Sequence, residues 1–378
     1  MTVARWCAIR LRPNQRPLAR LGPAGVTLLG AGRTDRLKVM RLGRTFIHPA
    51  VDVLVIGGVL SIPVALLARG AGLRFDVVRM MPLVLLLSYA HVTASLLRLY
   101  SKEGVVRSRP FLSVGFPLLT VVATGVLLLS GTQVASRVQG IYLTWSAYHF
   151  AAQTFGLALM YAQRSGSAVS PKEKRFLQAT CLATFVYAIL GPAGGLTLVI
   201  PPSVYASPVM ESMRQGLRAV LLVALLGAPL LLAAHKRRRG EALPLMSLIL
   251  MYTNAAWWVL FVPTDAFVWA SLSHGLQYLA IAMVFHVKDA QKAPEDRHGR
   301  AYHAVTFYVA SVALAFGLYY GGPLLFAAIS QDFNHSATTL QVALMLNLHH
   351  VILDGFIWRR VPGEAGKGLG VPALAARA

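Results

Sequence analysis

Residues 215–239 read QGLRAVLLVALLGAPLLLAAHKRRR. The segment 215–234 is apolar apart from Gln215 and Arg218 near its start, and it stops at His235, Lys236, Arg237, Arg238 and Arg239. About 20 apolar residues, rising ~1.5 Å each as helix, cross the hydrocarbon core of a bilayer. A basic run directly after such a segment marks the end that stays in the cytoplasm. This stretch therefore predicts a membrane-crossing helix and its direction, and the pattern recurs along the chain.

The composition agrees. Of 378 residues, 56% are hydrophobic and only 13% charged, with a mean hydropathy of +0.58. In soluble proteins about a quarter of residues are charged, and a soluble core of this size could not enclose so much apolar surface. Disorder is excluded by the same figures, and collagen-like or disulfide-framework classes by the 32 glycines and 2 cysteines. Cys7 lies in a basic tail and Cys181 in an apolar run, so no bridge between them and no cysteine metal motif is expected.

The length criterion predicts spans near 49–68, 79–99, 111–130, 141–162, 177–199, 215–234, 243–262, 266–286, 304–329 and 338–358. The expected fold class is all-α, a polytopic transmembrane helix bundle of about ten spans. With the N-terminus inside, the segments on that side are the N-terminal tail, 101–110, 162–175, 235–240, 287–303 and the C-terminus. They hold 29 of the 36 lysines and arginines, the others being Arg69, Arg74, Arg79, Arg98, Arg137, Arg214 and Arg218. Both termini are therefore expected in the cytoplasm, with the protein multi-pass in the cell (inner) membrane. The formal charge of +22, which in a soluble protein would suggest nucleic acid, is accounted for by basic loops beside lipid. Nucleic acid is not an expected partner; membrane lipid is. Residues 1–45 read as a basic disordered tail, 46–360 as the transmembrane domain and 361–378 as a second cytoplasmic tail. The tail carries no secretory signal pattern, and Met40 is an alternative start.

A charged side chain in hydrocarbon is costly, so an intramembrane acid is a functional candidate. Asp52 and Asp354 are the acids that fall clearly inside expected spans. Each follows a histidine by four residues, in His48-Pro-Ala-Val-Asp52 and His350-Val-Ile-Leu-Asp354. On a helix that spacing puts imidazole and carboxylate on one face, the usual arrangement behind a metal-bound imidazole. Pro49 suits the first helical turn.

Three further spans carry histidine on a polar stripe: Ser88, His91, Ser95 and Arg98; Ser146, His149 and Gln153; Ser271, His274 and Tyr278. The last expected span adds Asn347, His350 and Asp354. Steps of three and four keep each set on one face, which in lipid turns inward. These four spans run in the same direction, and counting ~1.5 Å per residue puts their histidines at mid-membrane depth. Imidazoles without cysteine favour iron, copper or zinc over magnesium or calcium. For any one of these histidines the alternative is a hydrogen-bonded packing residue, and either His–Asp pair fits a structural ion pair. Trp257, Trp258 and Trp269 read as an aromatic belt at an outer boundary. Walker, GxGxxG, HExxH and GxSxG motifs are absent from the sequence.

Four segments resemble the bacterial Brp/Blh-type carotene-cleaving dioxygenases. His48-Pro-Ala-Val-Asp52 looks like the family's early His-Gly-Ala-Leu-Asp motif, and Tyr148-His149-Phe150 resembles its second. His274 stands where a later histidine-bearing helix would fall. His350-Val-Ile-Leu-Asp354-Gly-Phe-Ile-Trp358-Arg359 is similar to the final helix. The resemblance implies a helical membrane bundle with histidine-bound non-haem iron that cleaves a carotenoid with oxygen. This chain departs from the pattern at Gln153, where the family has an acid, and at Tyr278, where it has a second histidine. His91 has no counterpart, and about two extra spans separate the first motifs.

The leading expectation is an integral membrane non-haem metal oxygenase, with iron first and copper or zinc possible, acting on an apolar lipid-like or carotenoid-like small molecule. The expected ligands are His48, His149, His274 and His350, with His349 or His91 as substitutes. Asp52 and Asp354 would orient them, and Gln153 and Tyr278 would hydrogen-bond oxygen at the metal. Two other classes fit the same residues: a haem-binding electron-transfer protein with histidine axial ligands, and a proton-coupled transporter using the His–Asp pairs.

Overall fold

The computed structural model describes residues 41–70, 77–102, 104–191, 200–261, 263–292, 296–329 and 335–357. Among them the regular structure is helical, with no strand. The expected tails, Cys7 and Met40 lie outside the described residues, apart from 41–45.

The longer helices are α1 (Pro49–Ile56) and α2 (Ser61–Gly70), α3 (Met80–Tyr100) and α4 (Phe111–Leu129), and α5 (Thr132–Arg164) and α6 (Pro171–Ile189). They continue with α7 (Pro208–Arg238), α8 (Leu245–Leu260) and α9 (Pro263–Ala290), then α10 (Arg300–Ala328) and α11 (His335–Ile357). Each expected span overlaps a helix of this set, the first overlapping both α1 and α2, although residues 192–199, 262 and 358 lie outside the described residues. Helices α3, α4, α7, α9, α10 and α11 are long and apolar enough to cross a membrane. The pair α1–α2, bent by 51°, qualifies as one broken span.

The other expected spans fall short for identifiable reasons. Helix α5 carries Arg137, Gln139, Ser146, His149 and Gln153 along its length, while α6 opens on Lys172, Glu173, Lys174 and Arg175. Helix α8 has 16 residues. The chain is a multi-pass helical membrane protein.

The exterior is apolar, unlike that of a soluble bundle, and polar side chains lie among the buried residues. Leu118, Val122 and Leu129 on α4, and Val220, Val223 and Leu231 on α7, face outward, whereas Thr93, Ser95, Ser247, Asn254, His274 and Gln277 are buried. In lipid an apolar exterior costs nothing, and polar side chains find partners only between helices.

The break between α1 and α2 has a local cause. Gly58 adopts φ +71°, a conformation open to glycine, and a Cβ there would lie 2.9 Å from Ser273 Oγ and 3.0 Å from Gln277 Nε2. Trp257 and Trp258, expected at an outer boundary, are buried against other helices. The indole of Trp257 donates to Ser61 Oγ (2.9 Å) at the head of α2, and Trp258 packs near Phe150.

Four helices position the candidate site. Helix α3 packs against α9 and α11, and α5 packs against the same two, so α3, α9, α5 and α11 close a ring. One contact in it is very close. A Cβ on Gly275 of α9 would lie 2.6 Å from the Leu87 carbonyl oxygen and 3.0 Å from His91 Nδ1. A wide π-helical turn over Val84–Tyr89 of α3 lies at this approach. Such turns alter the facing of the residues that flank them and recur at functional sites.

Candidate metal centre

Each helix of the ring supplies one histidine: His91 from α3, His149 from α5, His274 from α9 and His350 from α11. Their ring centroids form a quadrilateral whose sides follow the helix contacts. The sides measure 4.7 Å (His91–His350), 4.8 Å (His149–His274), 5.1 Å (His91–His274) and 5.3 Å (His149–His350). His91, His274 and His350 each bring a nitrogen within 4.8 Å of the others, as do the ligand atoms of His149, His350 and Asp354.

Residues one turn to either side extend this into layers. Four positions on from the histidines stand Ser95, Gln153, Tyr278 and Asp354. Ser95 Oγ meets His350 Nδ1 at 2.6 Å, and the Tyr278 hydroxyl lies 3.0 Å from Ser95 Oγ and 2.9 Å from Asp354 Oδ1. Asp354 Oδ2 lies 3.5 Å from His350 Nε2 and 3.8 Å from His149 Nε2. Three positions before the histidines stand Ser88, Ser146, Ser271 and Asn347. Together with the imidazoles they line a cavity of about 20 Å³.

The donor set fits a transition metal. Nε2 of His149, His274 and His350 is buried without a hydrogen-bond partner. An unsatisfied buried polar group costs about 1–3 kcal/mol. All three belong to residues that line one small cavity, where a cation could satisfy them together. Imidazole nitrogens plus one carboxylate suit iron, copper or zinc.

The structure brings together His149, His274, His350, Asp354 and Tyr278 of the expected residues, and it places His91 as the fourth imidazole. His48 is a correction. It is exposed, sits outside the helix as the N-cap of α1 with extended backbone (φ −150°, ψ 145°), and its Nδ1 accepts from Ala50 N–H at 3.3 Å. Asp52 does not orient it. The buried Asp52 carboxylate accepts from the N–H groups of Phe46 (2.7 Å) and Ile47 (3.0 Å) and from the Tyr161 hydroxyl (2.5 Å).

His349, one residue from His350, is turned toward α4. It stacks on Phe116 (centroids 4.3 Å), and its Nδ1 lies 2.7 Å from Thr120 Oγ1. Gln153 lies one turn past His149 with its Nε2 buried and without a partner, and it is not among the residues lining the cavity. Tyr278 holds Asp354 and Ser95 where the sequence suggested contact with oxygen. Gly275 was missed, and its signal was a glycine directly after an intramembrane histidine.

Comparison with protein families, with curated proteins and with solved structures finds no match. The resemblance to the carotene-cleaving dioxygenases thus rests on its short motifs, the first of which, at His48, lies outside the histidine cluster.

Proposed function

We propose that this protein is an integral membrane non-haem metal oxygenase, iron-dependent by preference, that acts on an apolar lipid-like or carotenoid-like substrate. The observation that supports it is the convergence of His91, His149, His274 and His350 from four helices on one small buried cavity, with Asp354 adjoining. These four imidazoles would hold the metal, with Asp354 as a fifth ligand, through oxygen, or as the group that fixes the rings of His149 and His350. Iron, when bound, supplies the one-electron and oxygen chemistry that side chains lack. The chain's own part is to fix ligand direction through Ser95 and Tyr278, and to exclude bulk water with the surrounding apolar helices. In this reading ten segments cross or enter the inner membrane with both termini cytoplasmic, and the substrate arrives laterally from lipid.

One observation favours a second reading. His350, Ser95, Tyr278 and Asp354 form a continuous chain of hydrogen-bonding groups, which suits a proton relay in a coupled transporter. The haem reading finds less support, because about 20 Å³ between the imidazoles accommodates an ion or a water and not a porphyrin. Elemental analysis with an absorption spectrum on purified protein separates the three. Near-stoichiometric iron, copper or zinc without a Soret band is expected. A Soret band would favour haem, and absence of all three metals would discard the oxygenase.

A further inference from the structure

The two faces of the histidine layer differ. On one, Ser95, Tyr278 and Asp354 are bonded to one another and to His350, which closes it. The other opens on the cavity, and the hydrogen bonding there has a sign. Ser271 Oγ donates to the Phe267 carbonyl at 2.7 Å. A serine has one hydroxyl hydrogen, so toward the cavity Ser271 offers only lone pairs. Asn347 Nδ2 donates to the Ala343 carbonyl at 2.7 Å. That bond fixes which end of the amide is nitrogen and uses one of its two N–H groups, while Oδ1 remains an open acceptor. Both residues line the cavity beside the imidazoles.

The space therefore adjoins acceptors, and its volume of about 20 Å³ exceeds the ~10–15 Å³ that one water needs. We infer that it is a seat for one small hydrogen-donating molecule, water in the resting protein, held by Ser271 Oγ and Asn347 Oδ1 on the open face of the metal centre. The inference rests on the metal-centre reading and deepens it. A water whose own lone pair is turned to a cation can only donate, and Ser271 Oγ and Asn347 Oδ1 are acceptors placed to receive its hydrogens. It also assigns the site to the class of metal centres that keep an exchangeable position, as catalytic ones do and structural ones do not. The natural occupant is then a molecule of water's size and hydrogen-bonding character, and the bulky substrate stays outside the ring.

The test uses full-length protein loaded with Cu(II), transferred into D₂O and read by pulsed electron–nuclear double resonance. Strongly coupled exchangeable deuterons, distinct from the weaker remote imidazole N–D, are expected in the wild type. Ser271→Thr, which keeps the hydroxyl, should retain them. The double variant Ser271→Ala, Asn347→Leu should lose most of that coupling while binding the same amount of copper, which also reports that it has folded. If the double variant folds poorly, Ser271→Ala alone should weaken the coupling. Undiminished coupling in the variants, or copper bound by the wild type without such deuterons, would overturn this inference and leave the metal centre standing. Failure of the wild type to bind any transition metal would refute the centre and the inference with it.

Discussion

Two histidines in this chain stand four residues ahead of a buried aspartate, at His48–Asp52 and His350–Asp354. His350 and Asp354 lie within one uninterrupted helix, so the spacing does what helix geometry dictates and brings Nε2 and Oδ2 to 3.5 Å. At His48 the helix has not begun. Pro49 occupies the first turn, His48 is the extended residue before it, and a π-helical turn over Asp52–Ile56 follows at once. Asp52 turns back onto the N–H groups of Phe46 and Ile47, which closes the chain over the head of α1. The same four-residue interval joins a candidate metal cluster in one place and reverses the chain in the other. What separates them is whether regular helix runs through both residues.

The sharpest way to break this comparison is to remove each histidine in turn and measure bound metal. His350→Ala should lose most of the metal, because it deletes the histidine common to both candidate triads and leaves Asp354 buried without its ring. His48→Ala should bind as the wild type does. Equal loss in both would restore the first motif to the site and show that α1 rearranges when metal binds.

The carboxylates sharpen it further. Asp354→Asn should lower metal affinity by about 10- to 100-fold, the usual cost of losing a carboxylate that supports ligating histidines, with thermal stability nearly kept. Asp52→Asn should do the opposite. An amide can accept on one side only, so at least one of the donors Phe46 N–H, Ile47 N–H and Tyr161 O–H is stranded, at about 1–3 kcal/mol for a buried group. The melting temperature should fall while metal content holds. A metal loss in Asp52→Asn without a change in melting temperature would contradict this division of roles.

The helical fold was legible from hydropathy because lipid demands long apolar runs, and each expected span overlaps helix. The count of crossings was less so, since α5 owes its low hydropathy to the polar stripe that builds the site. His149, His274 and His350 could be read because intramembrane histidines on polar stripes have few reasons to exist. His91 was readable only as a substitute: nothing in its own helix distinguishes a ligand from a residue bonding to a neighbour, and the closeness of α3 and α9 is what brings it into the cluster. That closeness is a tertiary fact, set by Gly275 against the Leu87 carbonyl. The misplacement of His48 has the complementary origin, since periodicity cannot see where a helix starts to within one turn.

The smallest effects come from a glycine in each region, and they test whether position alone can carry function. Gly275→Ala removes no ligand. Its new methyl would stand 2.6 Å from a backbone oxygen of α3, which cannot swing aside as a side chain would. Helices α3 and α9 must therefore separate by several tenths of an ångström, and the 5.1 Å His91–His274 spacing widens with them. Metal affinity should fall several-fold with the metal still bound at saturation. Gly58→Ala meets crowding of similar severity, but its neighbours are Ser273 Oγ, Gln277 Nε2 and Thr253 Cγ2, all side-chain atoms. Its positive φ adds a strain of about 1–2 kcal/mol for a residue with a Cβ. It should cost stability at the α1–α2 break and leave metal affinity alone. If Gly58→Ala instead weakened metal binding as much as Gly275→Ala, the break would be coupled to the centre through Ser273, the residue before His274, and the two regions would have to be treated as one.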